Sequence, residues 1–330
     1  MNILLSRWKS LKISVITPAK KHSKNGNRAT AKRWAHILRN AGHSVQIDVE
    51  YSGGSFDLMI AIHAWRSAAS INAYLAKHPG HPLIVGLGGT DVNTYMNTHS
   101  AVTIGTMEKA DALICLHGLI AKKLPDSLVN KLYLVRQSAI PLSTPQKLRT
   151  RTFDVCVVGH LREEKDPFRT AMAAKLIYEQ SKLRVTHFGK AHSQAWTRDA
   201  EKHMRETPRY IWRGEVARWQ VRREFAYTRA MVISSKQEGG ANVVSEAIVA
   251  GVPIIASDID GNVGLLGEGY PGYFPLGDER ALARVLWRSE TDPTFLPSLA
   301  GHINELKPLF VAEKESADLL RVVDAVTRST

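Results

Sequence analysis

Short β-branched and aliphatic runs alternate with stretches of helical periodicity along the whole chain, the pattern of parallel strands joined by crossover helices. In the first half the runs predict strands over residues 12–17, 44–49, 58–63, 83–87, 112–116 and 132–135. After the first of these, Ala31, Trp34, Ala35 and Leu38 recur at i, i+3, i+4 and i+7. Residues 28–40 are therefore expected to form a helix that buries this face, turns Arg28, Lys32, Arg33 and Arg39 elsewhere, and stops at Gly42 in an αL cap. Residues 136–152 carry Pro141, Ser143, Thr144 and Pro145 with no apolar period, which predicts a linker. The alternation then restarts, with strands predicted over 153–158, 184–188, 210–212, 231–234 and 253–257.

The expected architecture is α/β: two doubly wound Rossmann-like domains facing each other across a cleft. The first takes residues 1–140, the linker 141–152 and the second 153–330, with the option that its last helix packs back on the first. Ligands of such sheets bind outside the C-terminal ends of the strands, so the cleft is the expected site.

The chain has 330 residues, 44% hydrophobic and 23% charged, which suits two folded domains with large cores and excludes a disordered or disulfide-built chain. Its two cysteines, Cys115 and Cys156, lie inside apolar runs and read as buried small hydrophobes. No stretch approaches the roughly 18 apolar residues that span a bilayer, and Ile3, Leu4 and Leu5 are too short a core for a signal peptide, so a cytoplasmic location is expected.

Charge changes the picture more. Up to residue 150 there are 19 basic and 7 acidic residues, against 25 and 24 after it, so nearly all of the +13 net charge belongs to the first half. Residues 1–47 hold ten Lys or Arg and no Asp or Glu, with Lys20, Lys21, Lys24 and Arg28 crowded around Gly26 and Asn27. Such a field attracts nucleic acid, an anionic membrane surface or a small acidic substrate alike.

The most informative segment runs from Ser234 to Ser257: a strand end, a loop with Glu238, Gly239 and Gly240, a helix opening near Ala241, Glu246 inside it, and Ala250-Gly251-Val252-Pro253 before the next strand. Backbone N–H groups of Gly240, Ala241, Asn242 and Val243 at the positive end of a helix dipole would make a phosphate site without a cationic side chain. Two glutamates eight positions apart would accept hydrogen bonds from hydroxyls on either side of it, as a nucleotide sugar requires. This segment resembles the C-terminal nucleotide-sugar motif of retaining glycosyltransferases of the GT-B fold, family-4 type. The resemblance implies that Glu238 contacts the donor sugar and Glu246 the ribose. Gly214, after the strand 210–212, is assigned to the same donor site.

A second matching segment is Gly159-His160-Leu161-Arg162-Glu163-Glu164-Lys165. The family places an Arg and, five residues on, a Lys that hold the departing diphosphate. Here Lys165 matches the Lys, His160 stands in place of the Arg, and either Arg162 or a protonated His160 would supply the second charge. In the first half the loop to Arg28, the segment His63-Ala64-Trp65-Arg66-Ser67 and Gly88-Gly89-Thr90-Asp91 all follow predicted strands. They pair cations with hydroxyl and amide donors, which suits a small phosphate-like anion better than a neutral sugar or lipid tail. His63 fits a satisfied histidine bridging strand and helix equally well.

The combination of Gly26-Asn27-Arg28, Arg66-Ser67, Gly159 to Arg169, Glu238 to Glu246 and Gly261 to Gly267 with Tyr270 to Phe274 resembles, over residues 12–286, the selenosugar synthases of selenoneine biosynthesis. That family joins the selenium of selenophosphate to C1 of a sugar given by a UDP-sugar. The resemblance implies UDP-N-acetylglucosamine or UDP-glucose as donor, with UDP and phosphate released. It implies selenophosphate held by Lys24, Gly26, Asn27, Arg28, His63, Arg66, Ser67, Thr90 and Asp91. Gly239, Gly240, Ala241, Asn242, Val243, Glu246 and Gly214 would hold the donor, with Lys165, Arg162, His160 and Glu238 at the reacting centre.

No metal or other cofactor is expected. Asp258-Ile259-Asp260 has a metal-binding form but follows the last predicted strand, and neither His-x-x-x-His, Cys-x-x-Cys, a Walker loop nor Gly-x-Ser-x-Gly occurs. No His–carboxylate pair stands out, so positioning is expected to matter more than general-base catalysis. Two other readings compete: a transferase of the same fold acting on a lipid or cell-envelope acceptor, and a non-catalytic nucleotide-sugar or nucleic-acid binding module. The first would show an amphipathic surface helix bearing aromatics; the basic residues lack the interleaved aromatics that the second needs in a strand-binding groove. Small-molecule substrates are expected as partners, with no nucleic acid and no stable membrane association.

Overall fold

The computed structural model of the chain describes residues 10–23 and 26–328, so the expected anion contact Lys24 lies outside the described residues. Its contacts separate into two units, one made of the described residues up to Gln137 with those from Glu313 onward, the other of Ser138–Ala312.

The first unit is built on a parallel sheet of β1 (Lys12–Ile16), β2 (Ser44–Asp48), β3 (Leu58–Ile62), β4 (Leu83–Gly86), β5 (Ala112–Cys115) and β6 (Leu132–Leu134), in the order β2-β1-β3-β4-β5-β6. Every residue of β3, β4 and β5 is buried, as central strands covered on both faces must be. The first helix, Gly26–Asn40, buries Ala31, Trp34, Ala35 and Leu38 as its period requires, and Gly42 closes it at φ +94°. The last helix, Ala312–Thr327, adds Leu319, Val322, Val323 and Val326 to the same core. Its fully buried Glu315 carboxylate accepts hydrogen bonds from Arg33 Nε (2.8 Å) and Trp34 Nε1 (3.2 Å) of the first helix.

The second unit repeats the plan with β7 (Phe153–Val158), β8 (Leu183–Phe188), β9 (Tyr210–Trp212), β10 (Ala230–Ile233), β11 (Ile254–Ser257) and β12 (Tyr273–Phe274), all parallel, in the order β12-β11-β10-β7-β8-β9. β12 is a two-residue edge strand that the apolar pattern does not announce. In both sheets the order reverses direction beside the first strand, the switch point at which open α/β sheets leave a crevice for ligands. Both cysteines are free and buried, and burial pushes the Cys115 thiol up to about 12.

Candidate functional site

In the second unit the loops at the C-terminal ends of β7, β8 and β10 converge. The turn after β7 holds His160 and Arg162 and ends in a short 3-10 turn, Glu163–Lys165, followed by Asp166 in the left-handed region at φ +42°. That strained residue is held from both sides: Ser234 Oγ donates to its carbonyl at 2.9 Å, and Arg169 Nε donates to its carboxylate at 2.8 Å. The clamp aims Lys165 at the loop after β10, where its ammonium is hydrogen-bonded to Oε1 of Glu238. Sequence spacing names both residues but not this pairing.

Glu238 is fixed by a chain of buried hydroxyls. Ser235 Oγ donates to Glu238 Oε1 at 2.5 Å, Ser257 Oγ donates to Ser235 O at 2.7 Å, and Asn262 Nδ2 donates to Ser257 O at 2.9 Å. Ser235, Ser257 and Asn262 are all buried. A Cβ on Gly261 would fall 2.5 Å from Glu238 O, so a side chain there would displace the loop that carries the glutamate. None of these supports is a residue that motif reading singles out for a role; the signal is the Ser235, Ser257 and Gly261-Asn262 positions flanking strand ends.

Beyond Glu238, Gly240 takes φ +120°, which a glycine tolerates, and the helix Asn242–Ala250 begins. Its N-cap residue Ala241 makes no side-chain hydrogen bond, so no cap side chain competes for the first amides of a helix end that attracts anions. Gly239, Gly240, Asn242 and Val243 are half-buried and Ala241 is buried. Glu246, one turn into the helix, is half-buried and accepts from Arg218 Nη2 at 2.5 Å. Arg218 is the partner that sequence reasoning missed.

The floor of the loop after β7 is unusually tight. Gly214 lies at φ +69°, its carbonyl accepts from Gly189 N–H at 2.8 Å, and His187 Nε2 lies 2.9 Å from Gly159 O while Nδ1 lies 2.7 Å from the Tyr210 hydroxyl. Burial drives the His187 pKa down to about 4, so the ring is neutral, donates from Nε2 to the Gly159 carbonyl and accepts from Tyr210. His160 is also pushed down, first by burial and then by His192 and Arg162, and its Nδ1 accepts from Lys190 N–H at 3.0 Å. These surroundings favour a neutral His160 with its proton on Nε2. Of the two groups expected to stand in for the missing Arg, His160 is thus placed as a neutral donor, while Arg162 is half-buried and 3.8 Å from Glu164.

In the first unit the loops after β3 and β4 meet. His63 adopts φ +79°, and its Nδ1 lies 2.6 Å from Asp91 Oδ1. Asp91 is fully buried and also accepts from the N–H groups of Ala64 (2.9 Å), Trp65 (3.0 Å) and Gly88 (2.8 Å). His63 Nε2 lies 2.8 Å from the hydroxyl of half-buried Thr90. A His–carboxylate pair is thus present where none was expected; twenty-seven intervening residues hide it. Asp91 and Ser67 are supports of the loops rather than surface contacts: the Asp91 oxygens are occupied, and Ser67 Oγ donates to Ile62 O at 2.8 Å. Arg66 presents its guanidinium to Tyr95, 5.9 Å from the ring centroid. Arg28 is buried in the first helix, with Gly26 exposed and Asn27 half-buried at its start.

Among the described residues no group of three or more His, Cys, Asp or Glu is placed to hold a metal ion. Asp258, of the metal-like Asp-x-Asp, instead accepts from Leu276 N–H at 2.8 Å. No helix among the described residues is long and apolar enough to cross a membrane.

Residues 142–294 match the family model of the glycosyl transferases group 1. The chain is similar to the putative teichuronic acid biosynthesis glycosyltransferase TuaC of Bacillus subtilis, at 24% identity over 90% of this chain and 78% of that one. Among solved structures, Anabaena HepE in complex with UDP and glucose superimposes with a TM-score of 0.76 at 13% identity, covering 96% of this chain and all of that one. Sucrose-phosphate synthase of Thermosynechococcus elongatus gives a TM-score of 0.81 at 15% identity, with 97% and 100% coverage. The fold is that of the GT-B glycosyltransferases, with two Rossmann-like parallel-sheet domains.

Proposed function

We propose that this chain is a UDP-sugar-dependent, metal-independent glycosyltransferase that joins selenophosphate to the anomeric carbon of UDP-N-acetylglucosamine or UDP-glucose, giving a selenosugar with release of UDP and phosphate. The observation that carries the transferase reading is the Lys165–Glu238 contact immediately ahead of Gly240 and the helix Asn242–Ala250. As the bond from C1 to the diphosphate loosens, positive charge grows on the sugar and negative charge on UDP. Lys165, Arg162 and the helix amides meet the second, and the Glu238 carboxylate meets the first. The match of residues 142–294 to the glycosyl transferases group 1 and the UDP complexes of HepE support this half of the reading.

The acceptor rests on the resemblance set out from the sequence and on charge. The first half, with 19 basic residues against 7 acidic ones, offers Arg66 in the loop after β3, a setting for a small oxyanion. Incubation with UDP-N-acetylglucosamine and fresh selenophosphate should yield UDP and a selenium-bearing hexosamine by mass spectrometry. UDP-sugar consumption without selenium in the product would refute the acceptor and keep the donor. The similarity to TuaC favours a second reading, transfer to a cell-envelope polymer, which the same assay tests with an envelope fraction in place of selenophosphate.

A further inference from the structure

We infer that Asp91, His63 and Thr90 form a proton relay that ends at the Thr90 hydroxyl and serves an acceptor arriving in protonated form, an alcohol or a hydrogen oxyanion of the selenophosphate type. The inference rests on the transferase reading and adds a proton acceptor to it. Asp91 is fully buried and takes three backbone N–H groups as well as His63 Nδ1 at 2.6 Å. An acceptor-only carboxylate so placed fixes the ring proton on Nδ1 and leaves the lone pair on Nε2. That lone pair faces Thr90 Oγ1 at 2.8 Å, and Thr90 alone of the three is half-buried rather than buried.

The loop after β4 packs closely against the ring. A Cβ on Gly88 would fall 3.1 Å from His63 Cδ2 and 3.3 Å from Asp91 Oδ2, and His63 itself is held at φ +79°, a costly conformation for a residue with a side chain. A π-helical turn, Asp91–Tyr95, opens at the same point, a distortion that is frequent at functional sites. The charged and titratable groups around the ring are Asp91 from this turn, Tyr95 at 5.6 Å between centroids, and Arg66, whose guanidinium lies over Tyr95; the Arg66 backbone N–H also approaches Nδ1, but at 3.3 Å it is much the weaker contact beside Asp91 at 2.6 Å.

In the reaction the acceptor atom bonds to C1 and the C1–O bond breaks, its electron pair leaving on UDP. The acceptor proton passes to Thr90 Oγ while the Thr90 proton passes to His63 Nε2, and the resulting imidazolium is neutralised by Asp91. Thr90 is the catalytic residue; His63 and Asp91 act through it as positioning residues.

The test compares wild type, Thr90→Val, Thr90→Ser, His63→Gln and Asp91→Asn in the full chain, with UDP-N-acetylglucosamine and selenophosphate as substrates and UDP binding measured by calorimetry on the same samples. Thr90→Val keeps the buried dyad and should fold; it should lower kcat about 100-fold with UDP affinity unchanged. Thr90→Ser should return kcat to near wild type. His63→Gln should lower kcat by a similar factor, again with UDP affinity unchanged. A Thr90→Val or His63→Gln enzyme of wild-type kcat, or a Thr90→Ser enzyme no better than Thr90→Val, overturns the relay. If UDP fails to bind even the wild type, the donor reading falls, while nitrogen-15 NMR still reads the relay. There, a ring protonated on Nδ1 whose Nε2 shift moves in Thr90→Val supports it, and an unmoved shift refutes it.

Discussion

A Cβ added to Gly189 would lie 1.7 Å from the carbonyl oxygen of Gly159, a separation that no side-chain rotation relieves because the backbone fixes the Cβ position and the oxygen is itself backbone. The loops after β7 and β8 are therefore pressed together where His160 and Arg162 begin. Gly189→Ala should force the Gly159–His160 peptide away from the site. Turnover is expected to fall at least about 100-fold, the scale of losing an aligned electrostatic donor. Far-UV circular dichroism should remain close to wild type, and steady-state kinetics with UDP-N-acetylglucosamine checks the loss.

Lys165 and Glu238 share one contact, and in the proposed reaction they meet opposite charges. Lys165→Ala should lower kcat by about 2–4 kcal/mol of transition-state stabilisation with a much smaller change in donor KM, because its partner charge develops only as UDP leaves. Ser235→Ala frees one side of Glu238 and should cost about 1 kcal/mol. Residues acting as one unit are not additive, so adding Ser235→Ala to Glu238→Gln should cost little more than Glu238→Gln alone. Full additivity would show that Ser235 does not act through Glu238.

Glu246 is held by Arg218, whose side chain is 58% exposed, so the pair itself contributes little to stability. If Glu246 takes the ribose contact that the sequence resemblance implies, Glu246→Ala should raise donor KM about tenfold, the value of one lost charge-assisted hydrogen bond, and leave kcat within about threefold. Arg218→Ala should change KM less than Glu246→Ala does. Calorimetry with UDP and UMP separates the ribose contribution from that of the diphosphate.

The sheets were legible because their strands are buried on both faces and therefore continuous apolar runs; β3 and β10 need no neighbours to be recognised. β12 was not, since Tyr273–Phe274 is too short to hold a period. Within the site, glycines and glutamates after strand ends announced themselves, but pairings did not. Lys165 meets Glu238 and His63 meets Asp91 only because parallel strands place distant loops side by side. Asp91 illustrates the difference: its position after a strand pointed to the cleft, and only the three N–H groups around its carboxylate reveal a support. Lys20, Lys21 and Arg28 were read together as one cluster, yet Arg28 is buried and the two lysines are exposed.

His187 links the pH dependence of stability to the site. Burial lowers its pKa to about 4, below the ordinary value of 6.5. Between these values the unfolded chain binds a proton that the folded chain does not, so stability rises with pH across that window and is lost as pH falls through it. At pH 5 the cost relative to pH 7.5 is about 2 kcal/mol from this group. Native-state hydrogen exchange of the β8 peptide, which reports on the second unit alone, should show that loss in the wild type. In His187→Gln, which keeps an amide N–H for Gly159 O, the loss should shrink by about the same 2 kcal/mol, leaving what the other histidines contribute. An equal pH dependence in the two proteins would mean that His187 protonates in the folded state without penalty, and that the Gly159 carbonyl is not held by a neutral ring.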